Sequence, residues 1–468
     1  MAAPVLENTT SENGSSSVVK VTNKGMVLPF KAPEKKDCPL ITFDLPYITF
    51  YYNQKLLLYK NGGGDGGGEQ LFQERVEKLK EGLSMVLVDF YPLAGKLALD
   101  EEGILRVECD GESLVGVEVV EAEAEGVQVS QLTDGDAPEF LQEIVPYSGV
   151  MNLEGLHSPL MAVQITKLKD GVAIGCAFNH AILDGASTWH FMGAWAELCR
   201  GESISVIPFH DRTKARNTRV KLDLPESAAA HEKIDPNLAV QPAKILRDKI
   251  FSFSEKAVEK IKSDVNASID GEEGSKPFST FQSLGVHVWR AVCRARKLKP
   301  QDYTVFAIFT DCRRRLDPPM PESYFGNLIQ AIFTVTASGL LLQSPSKYGS
   351  GLLQKVINSH NAEAIDTRSK EWEAAPKLFH YTDAGINCVA VGSSPRFRVY
   401  DVDFGFGKPE RVRSGNNNKF DGMMYLYQGR DGGRSVDVEL TLDVDALEEI
   451  GKDDEFLVTT TDCLTTVY

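Results

Sequence analysis

The stretch FNHAILDGAST, residues 178–188, places His180 and Asp184 four residues apart at the end of the apolar run GVAIGCAF. That run is typical of a buried strand, and helical periodicity begins only after the Asp184-Gly185 pair. His180 is therefore predicted at the mouth of a strand, where α/β sheets expose functional groups. Asp184 would share a face with His180 only in a continuous helix. We expect it to cap the next helix or to pair with an arginine, with direct orientation of the imidazole as the weaker alternative.

Composition limits the class of protein. The chain has 468 residues, of which 42% are hydrophobic, and its formal net charge is −16 at pH 7. This length favours two or three globular domains, and the acidic balance argues against nucleic acid or an anionic membrane as a partner. No apolar run approaches the roughly 20 residues of a membrane span, and no signal peptide is recognised at the start. The sequence therefore predicts a cytosolic protein with no transmembrane segment.

Two other patterns are interpreted as structural. The eight cysteines never occur as C-x-x-C, which predicts reduced thiols and neither a disulfide framework nor a zinc site. The run NGGGDGGG, residues 61–68, formally contains G-x-G-x-x-G between a predicted strand and a predicted helix. A run with six glycines satisfies almost any glycine pattern, so a surface loop is the better interpretation. The hypothesis of a nucleotide-binding oxidoreductase carries little weight.

Apolar periodicity divides the chain into two halves of mixed α/β content. Residues 1–20 are predicted as a disordered lead-in, 21–204 as an N-terminal domain, 205–245 as a linker between domains, and 246–468 as a C-terminal domain. Helices are predicted at EQLFQERVEKLKEGLSMVL, in 187–199, and at FSTFQSLGVHVWRAVCRA. The predicted strands are TFDLPYITFYY, ILRVECD, GVEVVEAEA, a hairpin of MAVQITKL and GVAIGCAF, KIFSFS, YTVFAIFT and VDVELTLD.

The motif search leaves a histidine base as the candidate catalyst. The chain lacks the G-x-S-x-G motif of serine hydrolases, and no other pattern marks a covalent nucleophile. A neutral imidazole, with an ordinary pKa of about 6.5, can take the proton of an alcohol as the alcohol attacks an acyl group.

Several segments, in a fixed order, resemble the plant BAHD family of acyl-CoA-dependent acyltransferases. HAILDG is similar to the family's H-x-x-x-D motif, and VDFGFGKP to its D-F-G-W-G motif, with phenylalanine in place of tryptophan. FYPLAGKL, PFHDRTKARNT, FSTFQSLGVHVWRA and DCRRRLDPPMPESYFGN strengthen the match, which covers residues 38 to 457. Three further segments are most similar to a cutin-related member of the family: TFDLPYITFYYNQK, SSPRFRVYDVDFGFGKPE and FDGMMYLYQG. The resemblance implies an α/β fold with two chloramphenicol-acetyltransferase-like domains and a central solvent channel between them.

The resemblance also implies roles for individual residues. His180 would be the general base in the channel, and Asp184 would hold the site through Arg313 or Arg315, which both qualify. The structural loop near the CoA side would consist of Asp403, Phe404, Gly405, Phe406 and Gly407. The candidates for CoA binding are Ser279, Thr280, Lys214 and Arg216. Lys214 and Arg216 belong to a basic run at 212–221, for which a solvated linker is the stronger interpretation. No metal ligand is predicted.

The acceptor pocket is predicted from one face of TFDLPYITFYY. Pro46, Ile48 and Phe50 share a face by period two, where related hydroxycinnamoyl transferases tend to have polar groups, and packing in a core is an equally weighted alternative. An apolar face leaves the hydroxyls of shikimate or quinate unpaired but gains about 0.8 kcal/mol per buried methylene of an alkyl chain. The resemblance places Arg396 where related enzymes have an arginine that grips an acidic acceptor, so it would hold a carboxylate end but does not by itself separate the two acceptor classes.

The predicted function is acyl-CoA-dependent O-acylation by a monomer without a permanently bound cofactor. The predicted acceptor is a hydroxy fatty acid or a glyceride intermediate of cutin formation, and the donor acyl group stays open between long-chain and aromatic. One alternative is a hydroxycinnamoyl-CoA or acetyl-CoA alcohol transferase of specialised metabolism. An alternative of another class is a non-catalytic BAHD-like binding protein.

Overall fold

The computed structural model describes residues 17–33, 37–61, 68–133, 135–225, 245–267, 276–379, 385 and 387–461. Most of the predicted lead-in, residues 62–67 of the glycine run and residues 226–244 of the predicted linker lie outside the described residues. The described part of the chain forms two six-stranded sheets, a small three-stranded sheet, and helices that pack against them.

The first large sheet is built mainly by the N-terminal half. Its strands are β1 (Lys20–Val27), β3 (Asn53–Lys60), β6 (Val117–Ala124), β7 (Met161–Leu168), β8 (Gly171–Phe178) and β13 (Arg411–Ser414). Their order is β1-β6-β7-β8-β3-β13, and all neighbours are antiparallel except β6 and β7. β13 comes from the C-terminal half and pairs with β3 in register Val412 to Leu57. The sequence did not predict this exchange, which ties the second half of the chain to the first sheet.

The second large sheet belongs to the C-terminal half. Its strands are β9 (Leu246–Phe253), β10 (Tyr303–Asp311), β11 (Ile329–Ala337), β12 (Cys388–Val391), β14 (Met423–Gln428) and β15 (Val436–Asp443), in the order β11-β10-β12-β14-β15-β9. β12 runs parallel to both of its neighbours, and the other pairs are antiparallel. The small sheet consists of β2 (Asp37–Pro39), β4 (Lys96–Leu99) and β5 (Leu105–Glu108).

Helices cover these sheets. In the N-terminal half they are α1 (Glu69–Asp89), α2 (Val129–Thr133), α3 (Leu141–Ile144) and α4 (Gly185–Cys199). In the C-terminal half they are α5 (Glu255–Ala267), α6 (Thr280–Ala295), α7 (Ser338–Gln343), α8 (Ser346–Ser359), α9 (Ala362–Ala374), α10 (Val444–Ile450) and α11 (Asp454–Thr461). The apolar faces of α1 and α4 share one core with the first sheet, and that of α6 shares another with the second sheet. This arrangement confirms the predicted α/β fold class.

The main strand prediction that fails is TFDLPYITFYY. Residues Leu45–Tyr47 form a 3₁₀-helix, and the strand begins only at Asn53. Pro46 has no backbone N–H to donate to a neighbouring strand, and the carboxylate of Asp44 accepts the N–H of Ile41 at 2.9 Å, which closes a turn. The segment therefore lacks the alternating faces on which the predicted acceptor pocket was based.

Among the described residues, seven cysteines are buried and none forms a disulfide. Burial raises the pKa of the Cys176 thiol, so this residue lies in the core as an unreactive apolar side chain. Within the described part of the chain, no helix has the length and apolar character needed to cross a bilayer.

The D-F-G-F-G loop joins the two halves of the molecule. The Asp403 carboxylate accepts the N–H groups of Gly405 and Gly407 at 2.7 and 2.9 Å, and both glycines have positive φ, of 94° and 103°. L side chains rarely adopt this conformation, so the loop depends on both glycines. Phe404 is fully buried against Trp195 of α4, with ring centroids 4.8 Å apart, while the half-buried Phe406 packs on Tyr59 of β3.

We predict that Phe404→Ala lowers the free energy of unfolding by about 3–5 kcal/mol, because it leaves a cavity between the halves. Phe406→Ala, in the same loop, should cost clearly less because that ring is partly exposed. Denaturant-induced unfolding of the two variants measures the difference. Equal losses would show that the loop conformation, rather than the burial of Phe404, holds the halves together.

Candidate active site

His180 lies directly after β8, in a short loop that ends where α4 begins at Gly185. Its backbone is held from two sides. Its N–H donates to Oδ1 of Asn152 at 2.8 Å, and its carbonyl accepts from Nδ2 of Asn327 at 2.8 Å. Asn152 belongs to the N-terminal half and Asn327 to the C-terminal half, and both are fully buried. The position of His180 therefore depends on the contact between the halves.

Buried asparagines organise the backbone around this loop. Asn179 donates to the carbonyl of Asn152 at 2.7 Å, and Asn152 donates to the carbonyl of Tyr47, also at 2.7 Å. An asparagine amide can donate and accept at once, so it can join backbone groups of different segments. The sequence analysis missed these residues. Asn327 is the last residue of the segment DCRRRLDPPMPESYFGN, and the only sequence feature that could have indicated its role is a polar side chain after apolar residues.

The imidazole of His180 is half-buried between aromatic rings. Tyr47 stacks on it with centroids 4.9 Å apart and an interplanar angle of 16°, and Phe50 approaches edge-on at 6.2 Å. Burial lowers the pKa of His180 below its ordinary value, and the positive charge of Lys55 acts in the same direction. Within the described part of the chain, its Nδ1 has no hydrogen-bond partner. The side chain is therefore a neutral base at pH 7.

The carboxylate of Asp184 accepts its hydrogen bonds from groups other than the imidazole. Its two oxygens accept from Nη1 and Nη2 of Arg313 at 2.8 and 3.0 Å, and from the N–H groups of Ser187 and Leu328 at 3.0 Å each. The contact with Ser187 caps α4. Burial alone would raise the pKa of Asp184, but Arg313 and the backbone donors hold it below its ordinary value. Arg315 donates instead to the carbonyls of Ile357 and His360.

A second buried ion pair lies beside the first. Asp44 and Arg212 are 2.8 Å apart and both are fully buried. Arg212 also donates to the carbonyl of Ile182, in the loop of His180, at 2.7 Å, and Asp44 accepts from the backbone and side chain of Asn327 at 3.1 Å. Arg212 belongs to the run that was predicted as a basic linker. Its burial shows that this part of the run is a component of the site.

The predicted CoA-binding residues lie in different surroundings. Arg216 donates to Glu373 at 2.7 Å and to Asp366 at 2.6 Å, so its charge is already matched and a role in holding phosphate is not supported. Lys214 is exposed. Ser279 caps α6 in a reciprocal pair with Gln282, and Thr280 is the first residue of that helix. Their contact with CoA stays a prediction.

A cavity of about 310 Å³ adjoins the stacked pair of Tyr47 and His180. Pro46 and Phe50, two of the three residues predicted for the acceptor pocket, line this cavity. The third, Ile48, is fully buried in the core because the segment forms a turn and not a strand with alternating faces. Arg396 is exposed and does not line the cavity. The other residues that line it are Thr42, Phe43, Tyr47, Phe309, Ile329, Gln330, Ala331, Arg368, Ser369, Trp372, Lys377, Leu378 and Phe379.

Comparison with known proteins agrees with this geometry. The model of a family described as the Transferase family matches residues 17–457. The chain is 58% identical to the BAHD acyltransferase DCR of Arabidopsis thaliana over 449 residues, which is 94% of this chain and 92% of that protein. Among solved structures, vinorine synthase has a TM-score of 0.70 at 23% identity and covers 94% of this chain and 98% of its own. TRI101 of F. sporotrichioides, complexed with coenzyme A and T-2, has a TM-score of 0.70 at 19% identity, with 91% and 99% covered.

The family match and the similarity to a BAHD acyltransferase define an enzyme that transfers an acyl group from a CoA thioester. The chain belongs to the BAHD acyltransferase family.

We predict that Asp184→Asn lowers the free energy of unfolding by about 3–5 kcal/mol, because it leaves the charge of Arg313 buried without its partner. Asp311→Asn is the matched control. Asp311 contacts the same guanidinium at 3.0 Å but its side chain is 54% exposed, so its loss should cost less than about 1 kcal/mol. Chemical denaturation measures both. An Asp184→Asn protein that unfolds like wild type but has a shifted pH–rate profile would mean that Asp184 orients the base.

Proposed function

We propose that this enzyme transfers an acyl group from a CoA thioester to the hydroxyl of an aliphatic acceptor, with His180 as the general base. The neutral imidazole takes the proton of the hydroxyl while the oxygen attacks the thioester carbonyl. Collapse of the tetrahedral intermediate breaks the carbon–sulfur bond, and the imidazolium returns the proton to the departing CoA thiolate. The ester and free CoA are the products, and the balance requires neither a metal nor a resident cofactor.

Three properties of His180 support this role. Its lowered pKa keeps the base in its reactive form, its backbone is fixed by Asn152 and Asn327, and no carboxylate occupies its Nδ1 among the described residues. A base fixed in this way is oriented before the substrate arrives, which reduces the entropic cost of reaching the transition state.

The observation that carries the proposed acceptor class is the apolar surface that begins at Tyr47 and Phe50, whose rings contact the imidazole of His180. Most of the cavity wall is aromatic or aliphatic, and Phe309 and Ala331 in this wall are cross-strand neighbours on β10 and β11. The same face of the two strands continues through Ala307 with Phe333 and Val305 with Val335 to Tyr303.

Part of this apolar face is exposed, while Val305 and Ala307 are half-buried and pack against the core of the first sheet. Tyr303, Phe333 and Val335 are 69%, 58% and 48% exposed, respectively, whereas an exposed sheet face is normally polar. From Phe309 to Tyr303 the strand extends roughly 20 Å, which is the length of an alkyl chain with on the order of fifteen carbon–carbon bonds. A long-chain hydroxy fatty acid or its glyceride could place its hydroxyl near His180 and its chain on this face.

The similarity to a cuticle-related BAHD acyltransferase supports the same acceptor class. We therefore place the reaction in the formation of cutin, with the donor acyl group open between long-chain and aromatic. The cytosolic location and the monomeric state stay predictions.

We predict that His180→Ala reduces transfer by roughly two to four orders of magnitude in a protein that melts like wild type. His157→Ala, which alters an exposed histidine, is the control and should keep its rate. A well-folded His180→Ala enzyme with near-normal turnover would exclude the proposed base.

In wild type, kcat/KM should rise with pH as the imidazole loses its proton, and the midpoint should lie below the ordinary 6.5 because burial lowers the pKa of His180. A rise centred near pH 8 would instead follow Lys55, whose pKa burial lowers to about 8.

The acceptor class is tested with several acyl-CoA donors and a panel of acceptors: ω-hydroxy and mid-chain hydroxy fatty acids, monoacylglycerols, shikimate and quinate. We expect kcat/KM to increase about twofold for each methylene that lies on the half-exposed face, because such a methylene gains about half the free energy of full burial. Phe333→Asn should weaken this dependence on chain length and leave short acceptors unaffected. Val21→Asn, on the exposed edge strand β1, should change neither. Efficient transfer to shikimate or quinate, with none to aliphatic hydroxyls, would overturn the proposal.

A further inference from the structure

The inward face of α9 has an arginine, Arg368, for which the described residues provide no hydrogen-bond or ion-pair partner. Ile365, Arg368, Ser369 and Trp372 follow helical spacing, and Ile365 and Ser369 are almost completely buried. Arg368 is half-buried, and no hydrogen bond or ion pair within the described part of the chain involves its side chain. A guanidinium in such a position normally has a carboxylate or carbonyl beside it.

Carboxylates are available on the same helix but are used elsewhere. Asp366 pairs with Arg216 and Lys370, and Glu373 pairs with Arg216. Among the residues that the structure describes, the positive charge of Arg368 therefore stays unmatched where the helix lines the cavity beside Tyr47.

Gln330 provides a second unused polar group on the same wall. Its Nε2 donates to the carbonyl of Ile365 at 3.3 Å and to Oγ of Ser369 at 3.1 Å, which fixes the orientation of the amide. Its Oε1 is then a buried acceptor with no partner among the described residues. A cationic donor and a free acceptor thus adjoin the same turn of α9, inside a cavity whose other polar lining residues are Thr42, Ser369 and Lys377.

We propose that Arg368 and Gln330 form a head-group site for an acceptor that has a free carboxylate. This inference rests on the proposed function and specifies the acceptor as a hydroxy acid rather than its ester. The guanidinium donates two N–H groups to the carboxylate, a geometry in which arginine is preferred to lysine. Oε1 of Gln330 accepts from a hydroxyl close to the carboxylate, so that both polar groups lie at the Tyr47 end of the cavity and the alkyl chain follows β10 and β11. The site takes over the role that the sequence had given to Arg396.

Equilibrium binding without CoA tests the site independently of turnover. The probes are 2-hydroxyhexadecanoate, whose hydroxyl lies beside its carboxylate, and its methyl ester. The signal is tryptophan fluorescence, because Trp372 lines the cavity whereas Trp189, Trp195 and Trp289 are buried. Wild type should bind the acid about ten- to a hundredfold more tightly than the ester, the range for a hydrogen bond to a charged group. Arg368→Gln should remove this preference and leave ester binding unchanged, and Arg368→Lys should restore part of it.

Lys370→Gln is the matched control, because Lys370 lies on the same helix but is exposed and paired with Asp366. It should keep the preference for the acid. Equal affinity of wild type for acid and ester would overturn the head-group site, as would an equal loss of both in Arg368→Gln. Weaker binding of CoA, with unchanged binding of the acid, would assign Arg368 to the donor and also overturn it. Absence of transfer to every aliphatic hydroxyl would contradict the proposed function alone, since these affinities are measured without reaction.

Discussion

The ion pair of Asp184 and Arg313 is the contact on which the geometry of the site depends. It joins the loop after β8 to the segment between β10 and β11, and both charges are buried. Removing two charges from water is costly, so such a pair contributes little net stability unless every remaining hydrogen-bonding position is filled. Here the carboxylate also accepts from Ser187 and Leu328, and the guanidinium also donates to Ser187. The pair therefore fixes how the two halves meet. Asn327, which precedes Leu328, then holds the carbonyl of His180.

The same arrangement explains how a histidine with carboxylates nearby stays neutral. An uncompensated carboxylate would raise the pKa of His180 and keep it protonated at pH 7. Asp184 and Asp44 are instead matched by Arg313 and Arg212. Burial is then the dominant influence on the imidazole and lowers its pKa. In the proposed mechanism the H-x-x-x-D motif thus provides the base and the residue that positions it, and the two arginines keep the carboxylates from holding the imidazole protonated.

Periodicity predicted the elements well because it reports burial along one segment. The hairpin of β7 and β8, the strands β9, β10 and β15 of the second sheet and the helices α1, α4 and α6 all follow it. It could not predict contacts between distant segments, such as β13 beside β3 or Asn152 and Asn327 around His180. Arg212 was misinterpreted for the same reason, since a basic run looks like solvated linker until a buried Asp44 is known to face it. The resemblance to a family identified His180 and Asp184 but not the arginine on α9.

The turn at Leu45–Tyr47 has a consequence for specificity. In a strand, alternate residues would face the cavity and the residues between them would face the core. In the turn, the consecutive residues Pro46 and Tyr47 both line the cavity, and Ile48 enters the core. Tyr47 also stacks on the imidazole and donates its hydroxyl to the carbonyl of Ile329, at the start of β11. Tyr47 therefore both shapes the cavity and holds the imidazole against the strand that continues the apolar face. In the proposed mechanism, a substitution of Tyr47 would change the cavity and the surroundings of the imidazole together, which couples acceptor choice to catalytic rate at this residue.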